Sequence, residues 1–197
     1  MARDEKPQEK PEGERLLFIR RALVAPRYLG SITPSSHYLV DTLLRLCPVS
    51  AARAVVELGP GTGPFTQGLL GRMPADGRLL CIERDPALAH HLRTRFVDPR
   101  LAVVTGDAQS LDRHLADHGL DGEVPLIVSG LPFTSLPAEM RESILATIER
   151  CLTPDGCFLL YQYSNAMRRH LRRHFRQVTS RREVRNIPPA VCIRCTR

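Results

Sequence analysis

The chain has 197 residues, of which 43% are hydrophobic, and its 28 basic residues exceed its 21 acidic ones to give a net charge of +7. This size and composition predict one compact domain with a sizeable core, and a second catalytic domain is not expected. No apolar run approaches the roughly 20 residues that span a bilayer, and the N-terminus is too charged for a secretion signal, so we expect a cytoplasmic protein.

Three segments follow one another along the chain. Residues 1–13 are polar and mixed in charge, which predicts a disordered tail. Residues 14–46 are expected to form an N-terminal helical segment, with one helix over residues 14–25 and a second that ends near residue 46. Thr33 is the expected N-cap of the second helix, with Pro34 in its first turn. Residues 47–197 are expected to form the core of the same domain.

Short apolar runs alternate with helical patterns from residue 54 onwards. Strands are predicted over residues 54–58, 78–82, 101–104, 125–129, 157–161, 178–185 and 190–195. Helices are predicted over residues 65–73, 86–96, 111–118, 137–151 and 165–177, with a turn over residues 153–156. The alternation requires right-handed crossovers, so it predicts an α/β fold with a Rossmann-like, doubly wound, seven-stranded and mostly parallel sheet. The last two strands have no helix between them, which indicates a C-terminal antiparallel hairpin.

A glycine-rich loop follows the first predicted strand. The strand ends near Glu57, and glycines stand at Gly59, Gly61 and Gly63. A loop without side chains lets a ligand lie against the backbone at the edge of the sheet. A nicotinamide dinucleotide site favours G-x-G-x-x-G, whereas here Pro64 stands where the last glycine would fall. The spacing therefore favours S-adenosylmethionine as the cofactor.

Polar residues also follow the next three predicted strands, at the edge where ligands bind in such sheets. Glu83 lies 20 residues beyond Gly63, where a carboxylate can accept hydrogen bonds from ribose hydroxyls. Asp107 is placed to receive the exocyclic amine of an adenine. Ser129 and Gly130 begin an irregular loop that faces the middle of the cleft. Taken alone, the glycine loop is explained by a tight turn and each acid by a helix cap. Because all of them directly follow strands, at the same edge of the sheet, a ligand site is favoured.

The cysteines and histidines form no convincing metal site. The six cysteines lie in apolar segments, as is typical of reduced core residues, and the pair Cys192 and Cys195 has no second pair. Two histidine pairs have i,i+4 spacing without a nearby third ligand. We interpret all four of these histidines as surface residues, namely His114, His118, His170 and His174.

The positive charge is concentrated at the two ends of the chain, and residues 166–197 alone carry a net charge of +9. Such asymmetry indicates an anionic partner, either a lipid surface or a nucleic acid. The predicted helix over residues 165–177 has an apolar stripe surrounded by arginines, which an ordinary core-facing stripe explains equally well. The arginines expected to contact an anionic membrane surface are Arg20, Arg21, Arg168, Arg169, Arg172 and Arg173.

The motifs VVELGPGTG, CIERDP and VTGDA resemble the successive cofactor motifs of class I S-adenosylmethionine-dependent methyltransferases. More narrowly, GSITPSS, SGLPFTSLP and RNIPPA are similar to motifs of the small bacterial phospholipid N-methyltransferases that convert phosphatidylethanolamine towards phosphatidylcholine. The resemblance covers roughly residues 29–197. It implies an enzyme that is cytoplasmic, peripherally associated with the membrane, and active on the amine head group of a phospholipid.

The resemblance also implies roles for individual residues. It places the cofactor against Glu57, Gly59, Gly61, Thr62, Gly63, Glu83, Arg84, Asp107, Ala108 and Ser129. The groups predicted to orient the acceptor amine are the Ser129 hydroxyl, the Gly130 carbonyl and the rings or hydroxyls of Tyr28, Tyr161 or Tyr163. For each tyrosine a packing role remains the alternative. Residues 28–36 are expected to cap the cleft.

A second resemblance is to the rRNA adenine N6-dimethyltransferases, whose opening motif is similar to residues 37–41 and whose catalytic loop reads Asn-Leu-Pro-Tyr. Here the loop reads Gly130-Leu131-Pro132-Phe133, so the asparagine expected to accept from an adenine amino group is missing. No helical RNA-binding domain is expected after the sheet. RNA methylation, methylation of a soluble small molecule and cofactor binding without catalysis remain alternatives, and the oligomeric state stays open.

Overall fold

The computed structural model describes residues 36–120, 122 and 124–197. Several predictions lie outside the described residues: the tail over residues 1–13, the helix over residues 14–25, and Arg20, Arg21, Tyr28, Thr33 and Pro34.

A seven-stranded sheet lies at the centre of the described part of the chain. Its strands are β1 (Ala54–Leu58), β2 (Arg78–Glu83), β3 (Leu101–Thr105), β4 (Val124–Ser129), β5 (Leu152–Gln162), β6 (Gln177–Glu183) and β7 (Ala190–Thr196). Their order across the sheet is β3-β2-β1-β4-β5-β7-β6. Strands β1 to β5 pair in parallel, and β7 runs antiparallel to both of its neighbours. The predicted α/β fold, with a mostly parallel sheet and a C-terminal hairpin, is confirmed.

Helices cover both faces of this sheet. They are α1 (His37–Leu44), α2 (Pro64–Leu70), α3 (Pro86–Arg95), α4 (Leu111–Asp117), α5 (Ala138–Cys151) and α6 (Arg168–His174). On one face, Leu39 and Leu43 of α1 share a buried cluster with Phe65 of α2 and with alternate strand residues. On the other face, the ring of Phe158 contacts those of Phe133 and Phe175. None of the helices within the described ranges combines the length and apolar character that crossing a bilayer requires.

The N-terminus of α1 differs from the prediction. The N-cap is Ser36 rather than Thr33, because the Ser36 hydroxyl accepts the N–H of Leu39 at 3.3 Å. Asn186, which is 150 positions away, holds the same hydroxyl through its side-chain oxygen at 2.8 Å. A contact at that sequence separation has no local signal, which is why the cap was misplaced.

Two other predicted boundaries are also wrong. The predicted turn over residues 153–156 belongs to β5, whose pairing with β4 shifts register between Val124 and Leu126, so the extra residues form a bulge. Helix α6 is shorter than predicted because Phe175 adopts an extended backbone, with its ring 5.6 Å from that of Phe158.

The four histidines are not the surface residues that we predicted. His170 lies 2.8 Å from Glu142, and His174 bridges Glu142 and Glu149 at 3.1 and 3.2 Å, because α6 lies against α5. These bonds hold the pKa of the Glu142 carboxyl below its usual value. The other two are also half-buried, namely His114, beside Gly106, and His118, whose ring bonds the carbonyl of His114.

Candidate functional site

The loops after β1, β2, β3 and β4 meet at the carboxyl edge of the sheet. The paired strands end in register, so the first residues of the loops after β1, β3 and β4 continue the ladder. The bonds run from Gly59 N–H to the Ile82 carbonyl, from Gly106 N–H to the Glu83 carbonyl and from Gly130 N–H to the Leu58 carbonyl, each at 2.9 Å. The structure therefore brings together the segments that were predicted to surround one ligand.

The glycine loop between β1 and α2 exposes its backbone at one point. Gly61 has a φ of +60°, and a Cβ added there would meet no atom within 4 Å. Gly63, with a φ of +85°, is enclosed instead, because a Cβ would lie 2.5 Å from the ring of Phe96. Arg95 holds the intervening Thr62 through its carbonyl oxygen at 2.7 Å. The loop is thus fixed from below and open above Gly61, as a cradle for a ligand requires.

Glu83 links this loop to the next strand. Its side chain is only 4% exposed, and its two carboxylate oxygens accept the N–H groups of Gly61 and Asp85, each at 3.0 Å. An ionised carboxylate can accept about four hydrogen bonds, so two remain for a ligand. This capacity fits the hydroxyl pair of a ribose beside the glycine loop.

Arg84 and Asp107, both predicted to contact the cofactor, lie side by side. One Asp107 oxygen is 3.6 Å from the Arg84 guanidinium, and the other accepts the N–H of Gln109 at 2.9 Å. Asp107 is therefore the N-cap of the 3-10 turn Ala108–Ser110, as the alternative explanation had it. The cap and a contact with an adenine amine are compatible, since each carboxylate oxygen has a second lone pair.

Glu57 occupies a different environment from the other predicted residues. Its side chain is 2% exposed and points towards α2, where it accepts the hydroxyl of Thr66 at 2.6 Å and the thiol of Cys81 at 3.4 Å. Burial raises the pKa of this carboxyl to about 7. The carboxyl thus contacts Thr66 of α2 and Cys81 of β2. Its observed contacts fix the first turn of α2 beneath the loop.

The loop after β4 contacts the glycine loop through backbone atoms. A Cβ on Gly130 would lie 2.7 Å from the carbonyl oxygen of Gly59. Ser129 is fully buried, and its hydroxyl accepts the N–H of Leu131 at 3.1 Å. Gln162, at the end of β5, donates its side-chain N–H to the Leu131 carbonyl at 3.0 Å. Gln162 was not among the predicted site residues, although a polar residue directly after an apolar run was a signal for it.

Three aromatic side chains contact one another at the start of α2 and the end of β5. The ring of Tyr161 stacks on that of Phe65, with centroids 5.3 Å apart, and meets the edge of Tyr163 at 6.2 Å. Tyr163 is half-exposed, and partial burial followed by the neighbouring Tyr161 raises its pKa to about 12. Tyr163 therefore stays neutral near pH 7. Such a wall of ring faces suits an ammonium group.

A cavity of about 480 Å³ adjoins the glycine loop between α1 and α2. The charged side chains that line it already have hydrogen-bond partners, because Arg72 donates to Asp41 and Arg95 donates to Thr62 and Gln67. The cavity reaches the loop at Thr62 and lies apart from the edge that carries Glu83 and Asp107.

Replacing Gly130 with alanine is expected to lower both stability and cofactor affinity. The new Cβ would meet the Gly59 carbonyl, which is backbone and cannot swing aside, so one of the two loops must shift. We expect the free energy of unfolding to fall by about 1–3 kcal/mol in urea titrations, with weaker binding of S-adenosylmethionine by calorimetry. Gly71→Ala is the control, since its Cβ has ordinary clearance of 3.4 Å. Unchanged affinity in Gly130→Ala would contradict this account of the loops.

Comparison with known proteins agrees with this arrangement. A family described as a methyltransferase domain matches residues 55–156. The chain belongs to the class I S-adenosylmethionine-dependent methyltransferases, and S-adenosylmethionine is its cofactor. It is 36% identical to an ornithine lipid N-methyltransferase from Singulisphaera acidiphila, over 91% of this chain and 94% of the relative.

Other relatives match over shorter stretches or in fold alone. The ribosomal RNA small subunit methyltransferase A of a Polaromonas species is 34% identical, over 62% of this chain but 36% of that protein. The structure of precorrin-6y C5,15-methyltransferase from Geobacter metallireducens superposes with a TM-score of 0.65 at 16% identity, covering 84% of this chain and 91% of that one. The N-methyltransferase NodS from Bradyrhizobium japonicum, in complex with S-adenosyl-L-homocysteine, has a TM-score of 0.60 at 14% identity, covering 90% and 97%. These two structures share the fold of this chain.

Proposed function

We propose that this enzyme transfers methyl groups to the amine head group of a phospholipid, such as phosphatidylethanolamine, at a membrane surface. The observation that carries the proposal is the match to the ornithine lipid N-methyltransferase, which runs over nearly the full length of both chains. By contrast, the match to the Polaromonas rRNA methyltransferase spans only 36% of that protein. Gly130 also stands where the RNA enzymes are expected to have an asparagine.

Three groups at the carboxyl edge are proposed to hold the cofactor. The open backbone at Gly61 takes its methionine end, the Glu83 carboxylate takes the ribose hydroxyls, and Asp107 takes the adenine amine. When bound, S-adenosylmethionine supplies a methyl group on a positively charged sulfur. Gln162 and Ser129 support the chemistry indirectly, because their bonds to Leu131 fix the loop that faces the acceptor.

The main task of the protein is to present an uncharged amine in the right direction. A primary alkylamine has a pKa of ~10 in water, so it arrives as an ammonium and must release a proton to water before its lone pair can take the methyl group. A site between the Gly130 loop and the Tyr161 ring withdraws water, which lowers the pKa of an amine. The Gly130 carbonyl then accepts an amine N–H and directs the lone pair. The Ser129 hydroxyl is buried beneath the loop, so we propose that it positions Gly130 rather than bonding the amine.

Helix α6 is proposed to contact the membrane through charge alone. The apolar stripe of the helix and its two flanking residues, Met167, Leu171 and Phe175, is buried in the core, at 1%, 0% and 3% exposure, so it is not free to insert. Arg168 is half-buried as well. The exposed arginines of this segment are Arg169, Arg172, Arg173 and Arg176. Each arginine near an anionic leaflet contributes ~1 kcal/mol, which suits reversible attachment.

The test is methyl transfer from labelled S-adenosylmethionine to separate acceptors. These are vesicles with phosphatidylethanolamine and phosphatidylglycerol, vesicles with ornithine lipid and phosphatidylglycerol, and folded ribosomal RNA. We expect label in the phosphatidylethanolamine fraction. Label only in ornithine lipid would keep a lipid amine as acceptor and correct the head group. Label only in RNA would refute the proposal, and phosphatidylglycerol vesicles without an amine lipid are the blank.

A further inference from the structure

The loop between β6 and β7, residues 184–189, lies at the same edge of the sheet as the cofactor site. Glu183 at the end of β6 pairs with Ala190 at the start of β7, and Val191 pairs with Gln162 at the carboxyl end of β5. The loop therefore projects beyond the edge at which the Gly61 and Gly130 loops begin. It contains most of the RNIPPA motif, which no step of the proposed chemistry uses.

Large hydrophobic side chains are exposed around this loop. Val184 is 68% exposed and Ile187 is 73% exposed. Two more exposed rings lie nearby, since Tyr38 lies 4.2 Å below the guanidinium of Arg185 and Tyr163 directly follows the end of β5. Within the described ranges these are four of the five large hydrophobic residues that are exposed, the fifth being Val97. The exposed apolar surface is thus gathered at the edge of the sheet that holds the site.

Hydrogen bonds hold the loop in this form. The Glu183 carboxylate, 3% exposed, accepts from the Thr42 hydroxyl and from the Arg185 guanidinium. These bonds, that of Arg185 first, keep the pKa of Glu183 well below its usual value. Asn186, 4% exposed, accepts the N–H and hydroxyl of Ser36 and donates to the Pro188 carbonyl at 2.8 Å. Asn186 in the loop and Glu183 just before it are thus buried, whereas Val184 and Ile187 are exposed, the reverse of the usual distribution in a surface loop.

We propose that this loop is a membrane-contact surface, in which Val184 and Ile187 enter the interface of an anionic bilayer. Exposed basic side chains flank them, because Arg182 precedes Val184 and Arg185 is 59% exposed. An apolar tip beside arginines complements a leaflet of acidic lipids. The choice of a lipid partner rests on the function proposed above. Contact here brings the carboxyl edge, with Gly61 and Gly130, against the head groups.

A single fluorophore tests the insertion directly. The chain has no tryptophan, so Ile187→Trp places the only one at the tip of the loop, and Val97→Trp places one at a site that is 94% exposed beside the opposite edge strand, β3. Vesicles of phosphatidylglycerol and phosphatidylethanolamine should shift the emission of Ile187→Trp to the blue, and brominated lipids should quench it. Val97→Trp should not respond. Equal responses of both variants, or none, would overturn the proposal.

Removal of the two side chains provides a second test. Val184→Ser with Ile187→Ser should weaken sedimentation with these vesicles by on the order of tenfold for each side chain, whereas Val97→Ser should sediment as the wild type does. Thermal unfolding checks that the variants are folded. If the emission of Ile187→Trp shifts to the blue in concentrated protein without vesicles, the loop contacts a second copy of the chain. If it shifts only when RNA is added, the loop contacts nucleic acid. Either result overturns the proposal.

The two proposals fail separately. If Ile187→Trp enters the vesicles but the wild-type enzyme methylates no lipid, the membrane contact is supported and the proposed acceptor is wrong. If lipid is methylated while Ile187→Trp stays in water, the acceptor is supported and this contact is wrong.

Discussion

Glu83→Ala is expected to weaken S-adenosylmethionine binding by on the order of 100-fold or more, as measured by titration calorimetry. The substitution removes two charge-assisted hydrogen bonds that the carboxylate is proposed to make to the ribose. It also removes the acceptor for the N–H of Gly61, so the loop loses the bond that ties it to β2. Both losses act on the same ligand, which is why we expect this to be the largest single effect on binding.

Two control variants separate these contributions. Glu83→Gln keeps one acceptor oxygen and a similar shape, so its affinity should lie between those of the wild type and Glu83→Ala. Asp76→Ala removes an exposed acid that pairs only weakly with Arg53, at 3.4 Å, and should leave affinity unchanged. An affinity of Glu83→Ala within a few-fold of the wild type would show that the ribose is held elsewhere.

Glu57 is expected to make the folded protein less stable as pH rises from about 4.5 to about 7. Its pKa is about 7 in the folded state and 4.5 in the reference state, so in this window the folded protein retains a proton that the unfolded chain has released. Raising the pH therefore favours the unfolded chain, by on the order of 3 kcal/mol across the window. Below about pH 4.5 both states are protonated and the effect vanishes.

The measurement is urea unfolding of the wild type and Glu57→Gln at several pH values. Glutamine does not titrate and still accepts the Thr66 hydroxyl, so the variant should become more stable relative to the wild type as pH rises through the window. The difference between the two proteins isolates Glu57 from acids with lowered pKa, such as Glu142 and Glu183, which act in the opposite direction at lower pH. Glu139→Gln, at an exposed acid, serves as the control. Parallel curves for wild type and Glu57→Gln would contradict the prediction.

Local patterns were sufficient to predict most of the sheet. Strand β1 follows from a short apolar run that only Glu57 interrupts, and the glycine loop follows from its spacing. The hairpin of β6 and β7 was predicted because no helical pattern separates the strands. These features depend on a few neighbouring residues, whose side-chain periodicity and backbone preferences determine the secondary structure.

The features that sequence did not predict depend on residues far apart in the chain. Ser36 caps α1 with the help of Asn186, and the α6 histidines are held by Glu142 and Glu149 of α5, which lie 25 to 32 residues earlier in the chain. The orientation of Glu57 towards Thr66 depends on how α2 packs, so these contacts had no local signal, and the role of Glu57 in cofactor binding stays a prediction. In each case the partner was decided by tertiary packing rather than by neighbouring sequence.

The contact between Gly59 and Gly130 has a consequence for how such an enzyme changes acceptors in evolution. The two loops touch backbone to backbone, with no room for a side chain between them. Their separation is therefore set by peptide geometry rather than by rotamers. Under the proposed function these two loops align donor and acceptor, so exchanges among surrounding side chains, such as Tyr161 and Tyr163, would change which acceptor is admitted without changing that alignment. New acceptors become accessible by small steps, because the part that aligns the reactants need not be rebuilt.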